Sequence, residues 1–370
     1  MDGRDLAAGM IRLAATVSAL ALPLPSHATL VSDRAHFQQL AEQGLAKTQQ
    51  VWYDQKLGWY RDRYLHPDVA TLWSSYPVLE LSAAIAIADP TRANEDFVDQ
   101  TFLQAEKFWD RTIDGTGGVS WQFDLQGTGV AYYDDAGWWA LSYLDAYRAT
   151  GRTRWLWDAG RALAYIDRYG WDAAGGGTWW DGGHSHKTSE PLAAAAVVAS
   201  TLYRIQHRPY YLQLATKYIS WADAHTRNAS QGNLYGRSAT DGTVMDYVEG
   251  MMIDAHVQLC LATKQQSWCD QAEQLASASV QQFPILADWA PETDVVYLRS
   301  MLDLYAEDGN PTWYALVYDN AERAAAHAEG SVPDMWSYAW DGGYADSEAL
   351  FTQGATLELF GWMAAARPPS

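Results

Sequence analysis

Asp134 and Asp135 stand side by side between two aromatic pairs, Tyr132-Tyr133 and Trp138-Trp139, with Gly127, Gly129 and Gly137 close by. Two carboxyls in an aromatic-walled cleft suit the breaking of a bond between sugars. One protonated carboxyl gives a proton to the leaving oxygen, and one ionised carboxylate attacks or activates water. Apolar surroundings separate their pKa values, because like charges a few ångström apart do not both ionise cheaply. Consecutive residues in mid-helix point about 100° apart. The pair can therefore share a cavity only at a helix mouth, where the backbone is still leaving a loop. The same dipeptide also serves as a plain helix cap that complements the dipole.

The elements that must position this pair are helical. Apolar residues at three-and-four spacing predict helices over Phe37–Val51, Leu72–Ile87, Val98–Ile113, Trp138–Ala149, Trp155–Tyr169 and Leu192–Ile205. The pattern continues over Tyr210–Ala224, Met251–Ala262, Cys269–Phe283, Val295–Tyr305, Trp313–Ala328 and Ala349–Ala364. Longer connectors repeat a Gly, aromatic, Asp flavour, as in Gly58-Trp59-Tyr60 and Gly177-Thr178-Trp179-Trp180-Asp181. A rhythm of about one helix pair per 40 to 60 residues predicts an all-α helical repeat. Closure into a toroid of about six pairs is favoured over an open solenoid, because it gathers the aromatic connectors around one cleft. The Ala-rich stretch Pro191–Leu202 is apolar nearly all round and is expected to be an inner helix.

Composition narrows the ligands. The chain of 370 residues carries a net charge of −20, which disfavours nucleic acid and anionic membrane surfaces. It has 19 Trp and 22 Tyr against 8 Phe, and polar-tipped rings suit both stacking on sugars and filling a large core. Residues 1–28 read as a signal peptide: Arg4 and Arg12, an apolar run from Leu13 to Leu24, then Ser26-His27-Ala28 as a cleavage site. The expectation is a secreted protein whose domain spans 29–370, with no later membrane span, no lipid-anchor signal at the Arg-Pro-Pro-Ser end, and a monomeric state. Cys260 and Cys269 fit either a local disulfide or two buried thiols.

With these residues in view, the chain resembles glycoside hydrolase family 76, the endo-α-1,6-mannanases. The resemblance rests on Tyr-Tyr-Asp-Asp-Ala-Gly-Trp-Trp-Ala-Leu from Tyr132, on Gly175-Gly-Gly-Thr-Trp-Trp-Asp181, on Tyr247-Val248-Glu249-Gly250 and on Thr352-Gln353. It implies an (α/α)6 toroid, an α-mannan or mannooligosaccharide substrate, no cofactor, and retention through a covalent intermediate. By that likeness Asp134 is the nucleophile and Asp135 the general acid/base; the sequence alone leaves the two interchangeable.

Residues proposed to line subsites are Trp73, Ser74, Tyr132, Tyr133, Trp138, Trp179, Asp241, Tyr247 and Glu249. Core packing competes for each aromatic, a turn competes for Asp241 before Gly242, and a helix-start role competes for Glu249. His184 and His186, alternate residues in a Gly-rich loop, are read as solvated rather than as metal ligands. Glu249 and the segment from His184 to Glu190 depart from the family pattern and bear on substrate choice. Two other functions use the same aromatic cleft: a cell-wall transglycosidase, in which a second sugar captures the intermediate, and a non-catalytic carbohydrate-binding protein.

Overall fold

The structure, a computed structural model, describes residues 24–123, 131–283, 286, 291–343, 345–346 and 348–370. Gly127, Gly129 and most of the stretch read as a signal peptide lie outside the described residues. Twelve α-helices run among the described residues: α1 (His27–Val51), α2 (Leu72–Ala88), α3 (Arg92–Ala105), α4 (Tyr133–Thr150), α5 (Arg154–Tyr165) and α6 (Ser189–Gln206). They continue with α7 (Pro209–His225), α8 (Asp246–Thr263), α9 (Gln266–Gln282), α10 (Pro291–Asp308), α11 (Pro311–His327) and α12 (Leu350–Ala365).

The even-numbered helices form an inner ring. α2 packs on α4, α4 on α6, α6 on α8, α8 on α10, α10 on α12, and α12 returns to α2. This is the closed toroid that the repeat predicted. Sequence separates the layers physically. Inner α6 is buried continuously from Ser189 to Leu202, as an all-round apolar helix must be. Outer α5 buries one stripe, Trp155, Leu156, Ala159, Ala162 and Leu163, and turns Trp157 outward. Small residues let inner helices approach: a Cβ on Gly137 of α4 would stand 2.4 Å from the Ala194 Cβ of α6.

Local chemistry sets the ends. The Thr71 hydroxyl N-caps α2 by accepting from Ser74 N at 3.0 Å. α4 stops at Gly151, whose φ of 67° suits a residue without a side chain. Three of the repeated connectors become short antiparallel pairs: β1 (Tyr53–Asp54) with β2 (Trp59–Tyr60), β3 (Trp109–Asp110) with β4 (Gly118–Val119), and β5 (Arg227–Asn228) with β6 (Leu234–Tyr235). Cys260 and Cys269 are joined as a disulfide that clips α8 to α9. No helix among the described residues is long and apolar enough to cross a membrane.

The expected helix over Val98–Ile113 is corrected. α3 starts at Arg92, where the Thr91 hydroxyl accepts from Asn94 N, and it ends at Ala105 because Trp109 and Asp110 pair with Val119 and Gly118. α1 likewise begins ten residues before Phe37, with Ser26 as its N-cap.

Candidate active site

The first turns of the inner helices converge on one mouth of the ring. α2 brings Thr71 and Trp73, α4 brings Asp134, Asp135 and Trp138, α6 brings Thr188 and Glu190, α8 brings Tyr247, and α10 brings Thr293. Together with Trp121, Tyr132, Trp180, His186 and Arg237 from the connectors, they line a cavity of about 450 Å³. Trp73 lies 5.0 Å from Trp138, and Trp138 lies 6.3 Å from Tyr247, ring centre to ring centre, so the floor is aromatic. Tyr132 and Trp180 pair at 5.0 Å on another wall.

The two aspartates occupy the first turn of α4 because Tyr133 N donates to Trp180 O at 2.8 Å, pinning the helix start to the connector ahead of α6. Their environments differ. Asp134 accepts from Trp180 Nε1 at 3.1 Å and from Asp135 N at 3.0 Å. Burial pushes its pKa up to about 6, with those donors holding it down and the Asp181 charge adding to the rise. Asp135, 7% exposed, makes no side-chain hydrogen bond among the described residues. Burial first, then the Asp134 charge, hold its carboxyl well above the ordinary range. Asp135 therefore holds its proton more tightly than Asp134, the order that an acid and a nucleophile side by side require.

A third acid faces them. Glu190 accepts from the hydroxyls of Thr188 and Tyr247, the latter at 3.3 Å, and lies 3.6 Å from Arg237 Nε. Burial raises its pKa to about 7; Arg237 opposes the rise and the Asp134 charge adds to it.

Of the residues expected at subsites, Trp73, Tyr132, Trp138 and Tyr247 do line the cavity with Asp134 and Asp135. Five do not. Ser74 turns to Thr71, 2.8 Å away, and Thr71 takes the cavity position. Tyr133 is sealed against Tyr165 and Gly170. Trp179 stacks on His184 at 5.0 Å, and the next residue, Trp180, faces the cavity. Asp241 is an exposed turn residue accepting from Thr243 N. Glu249 is fully buried, accepts from Tyr235 N at 2.5 Å, and is pushed by burial to about 8; it ties α8 to β6 instead of facing sugar.

Trp121, Trp180, His186, Glu190 and Arg237 were not among the expected site residues. Neighbouring side chains in an extended connector point to opposite sides, so one residue of register exchanged Trp179 for Trp180. Among the described residues, the one group of three candidate metal ligands close enough together is Cys260, Cys269 and Glu307, where both thiols are already spent on the disulfide.

The sequence profile described as Glycosyl hydrolase family 76 matches residues 123–363. No curated protein matches the chain. Among solved structures, a family 76 mannosidase of Bacteroides thetaiotaomicron is similar with a TM-score of 0.77 at 20% identity, covering 89% of this chain and 98% of its own. An α-mannanase of the same family and species gives 0.75 at 20%, covering 89% and 95%. An inactive variant of an α-1,6-mannanase from Salegentibacter sp. HEL1_6, with two consecutive aspartates replaced and α-1,6-mannotetrose bound, gives 0.70 at 17%, covering 89% and 98%. The match over more than half its length places this chain in glycosyl hydrolase family 76, and it is a glycosidase.

Proposed function

We propose that this family 76 glycosidase cleaves internal α-1,6-mannosidic bonds of α-mannan with retention. Asp134 attacks the anomeric carbon, and Asp135 protonates the leaving oxygen and later activates water. The observation that carries the reading is the inequality of two adjacent carboxyls in one aromatic cavity. Asp134 is steadied by Trp180 Nε1 and a helix N–H, while Asp135 lacks any such donor and keeps its proton. A nucleophile must be charged and an acid must not be. The Salegentibacter relative, inactive without two consecutive aspartates and holding an α-1,6-linked mannan fragment, supports the need for an aspartate pair and the linkage.

Chemistry in the cavity follows from its walls. Trp73, Trp138 and Tyr247 offer faces to sugar C–H groups and thin out the water, which strengthens every charge interaction inside. As the glycosidic bond lengthens, the proton on Asp135 moves to the departing oxygen and Asp134 closes on the positive anomeric carbon. In the second half Asp135 takes a proton from water, which displaces Asp134. Glu190 and Arg237 stand where hydroxyls of a bound sugar can exchange hydrogen bonds.

We further propose export through residues 1–28 and action as a monomer. The disulfide between Cys260 and Cys269 fits an oxidising compartment, and a single chain supplies every cavity wall described above.

The test is incubation with linear α-1,6-mannan, with product sizes followed by chromatography and the newly formed anomer by proton NMR. Shorter oligosaccharides of α configuration are expected. Release of the β anomer would remove the covalent intermediate, and a wild-type protein that binds mannan without shortening it would replace the hydrolase by a binding protein.

A further inference from the structure

We infer that a second glycan-binding site, separate from the catalytic cavity, lies between the end of α1, the β1–β2 hairpin and the last turns of α3. There a cavity of about 370 Å³ opens on the flank of the ring. Its apolar surface is mostly aromatic, from Tyr53, Trp59, Tyr60 and Phe97, with Leu103 at the rim. Its polar surface is carboxamide: Gln49, Gln55, Gln100 and Gln104. In a chain of which 19% of residues are charged, none of the ten lining residues is.

That combination specifies a ligand class. A carboxamide gives two donors and an acceptor on one planar group, which matches neighbouring sugar hydroxyls, and rings accept the C–H face of a pyranose. A charge-free lining offers nothing to a phosphate, a carboxylate or an ammonium group. The polar groups are also unspent. The side chains of Gln55, Gln100 and Gln104 make no hydrogen bond among the described residues. Only Gln49 is engaged, donating to the Tyr60 hydroxyl.

Position gives the cavity a use. The hairpin that builds it runs on to Thr71 and Trp73 in the catalytic cavity, and Trp59 packs edge-on against Phe123 at 6.4 Å, two residues beyond the cavity-lining Trp121. One connector therefore walls the catalytic cavity and, on its outer side, this one. A neutral polysaccharide held here is kept beside the cutting site, raising its local concentration without touching the reaction. The ligand class follows from the lining; its identity as α-mannan rests on the function proposed above.

The experiment uses the full chain carrying Asp134→Asn, so that no polymer is consumed, in affinity electrophoresis through gels containing linear α-1,6-mannan, galactomannan or dextran. The parent is compared with Q100L/Q104L and with Tyr53→Ala, each checked for fold by circular dichroism. The expected result is that at least one polymer retards the parent, and that the apparent dissociation constant rises roughly fivefold or more in Q100L/Q104L, as for one or two lost hydrogen bonds. Tyr53→Ala should weaken it in the same gel. With Asp134 restored, turnover of mannotetraose should be unchanged by either substitution, because so short a chain does not need a second foothold. Retardation equal to the parent's in both variants, or a parent retarded by none of the polymers, overturns the site. If mannan is shortened but neither variant matters, this site alone falls. If wild-type protein leaves mannan intact while another polymer's binding depends on the glutamine pair, the functional reading falls and the site stands.

Discussion

The inner helices bury carboxyls at two levels. At the open mouth, Asp134, Asp135 and Glu190 meet mostly neutral donors: Trp180, Tyr247, Thr188 and the N–H groups of helix starts. Among the described residues neither aspartate has an ion-pair partner. Halfway along the same helices, Glu80, Asp145 and Glu358, each no more than 1% exposed, surround Arg299. Its guanidinium lies 2.8 Å from Asp145 and 3.8 Å from Glu80, and stacks 4.4 Å over Trp362. Burial pushes Glu80 and Glu358 well above the ordinary carboxyl range there as well. Arg299 itself lines a separate cavity of about 480 Å³, but Glu80, Asp145 and Glu358 do not, so these carboxyls serve as scaffold, and removing the cation strands a charge. The mouth leaves Asp134 and Asp135 beside empty volume without a counter-ion of their own, Arg237 standing beside Glu190, and so keeps both a mobile proton and a free charge available for chemistry.

The widest break between the levels is in turnover. Asp134→Asn or Asp135→Asn should lower kcat on mannan by about 10³-fold or more, with Tm no lower than wild type, whereas Glu358→Gln in the hub should leave kcat within about twofold. A hub substitution that matches the mouth's loss while the fold survives would erase the distinction. Next comes Arg299→Leu, which should cost about 3–5 kcal/mol in urea unfolding while the protein that remains folded keeps its kcat.

A smaller effect runs the other way. The Asp134 pKa is raised from 3.8 to about 6 on folding, so the native state holds that proton more tightly than the unfolded chain. Stability from this group is therefore lost as pH rises from about 4 to about 6 and stays lost above. Asp134→Asn should then be more stable than wild type by about 3 kcal/mol at pH 7, and the gain should vanish below about pH 4, as followed by denaturant midpoints across pH. A gain independent of pH would mean the charge is not its source. Smallest is a shift in the acid limb of kcat/KM. Activity should fall as pH drops through about 6, where Asp134 takes up its proton. Glu190, raised to about 7, is mostly uncharged at that pH, so Glu190→Gln should move the limb by no more than about 0.2 of a unit; a limb displaced by a full unit to lower pH would show that Glu190 is ionised beside Asp134.

Much of this is legible in the sequence, and most of what is not lies in the opening turns of the inner helices. Each of the twelve apolar stretches contains the body of a helix, since a stripe facing the core must repeat with the helical period. The starts of inner helices were missed: α4 begins at Tyr133 where Trp138 was expected, α6 at Ser189 where Leu192 was, and α8 at Asp246 where Met251 was. Those opening turns carry the polar groups of the mouth, so they read as loop, and Glu190 was lost with them. Asp134 and Asp135 were found because their aromatic flanks and the family likeness marked them independently of periodicity. Glu249 misled for the opposite reason. One dimension shows a carboxylate near the site, but not that helical rotation turns it toward Tyr235.

The ring is sealed by the helix that comes last in chain order, and Phe351 in its first turn stands 4.8 Å from Trp73 in the wall of the cavity. A ribosome thus delivers the two aspartates long before it delivers the segment that steadies the opposite wall. Contacts that bridge nearly the whole length of the chain form late and slowly. The nascent polypeptide consequently has no finished cutting edge until α12 has been made, and a truncation ahead of α12 should leave an unclosed seam instead of a weaker enzyme.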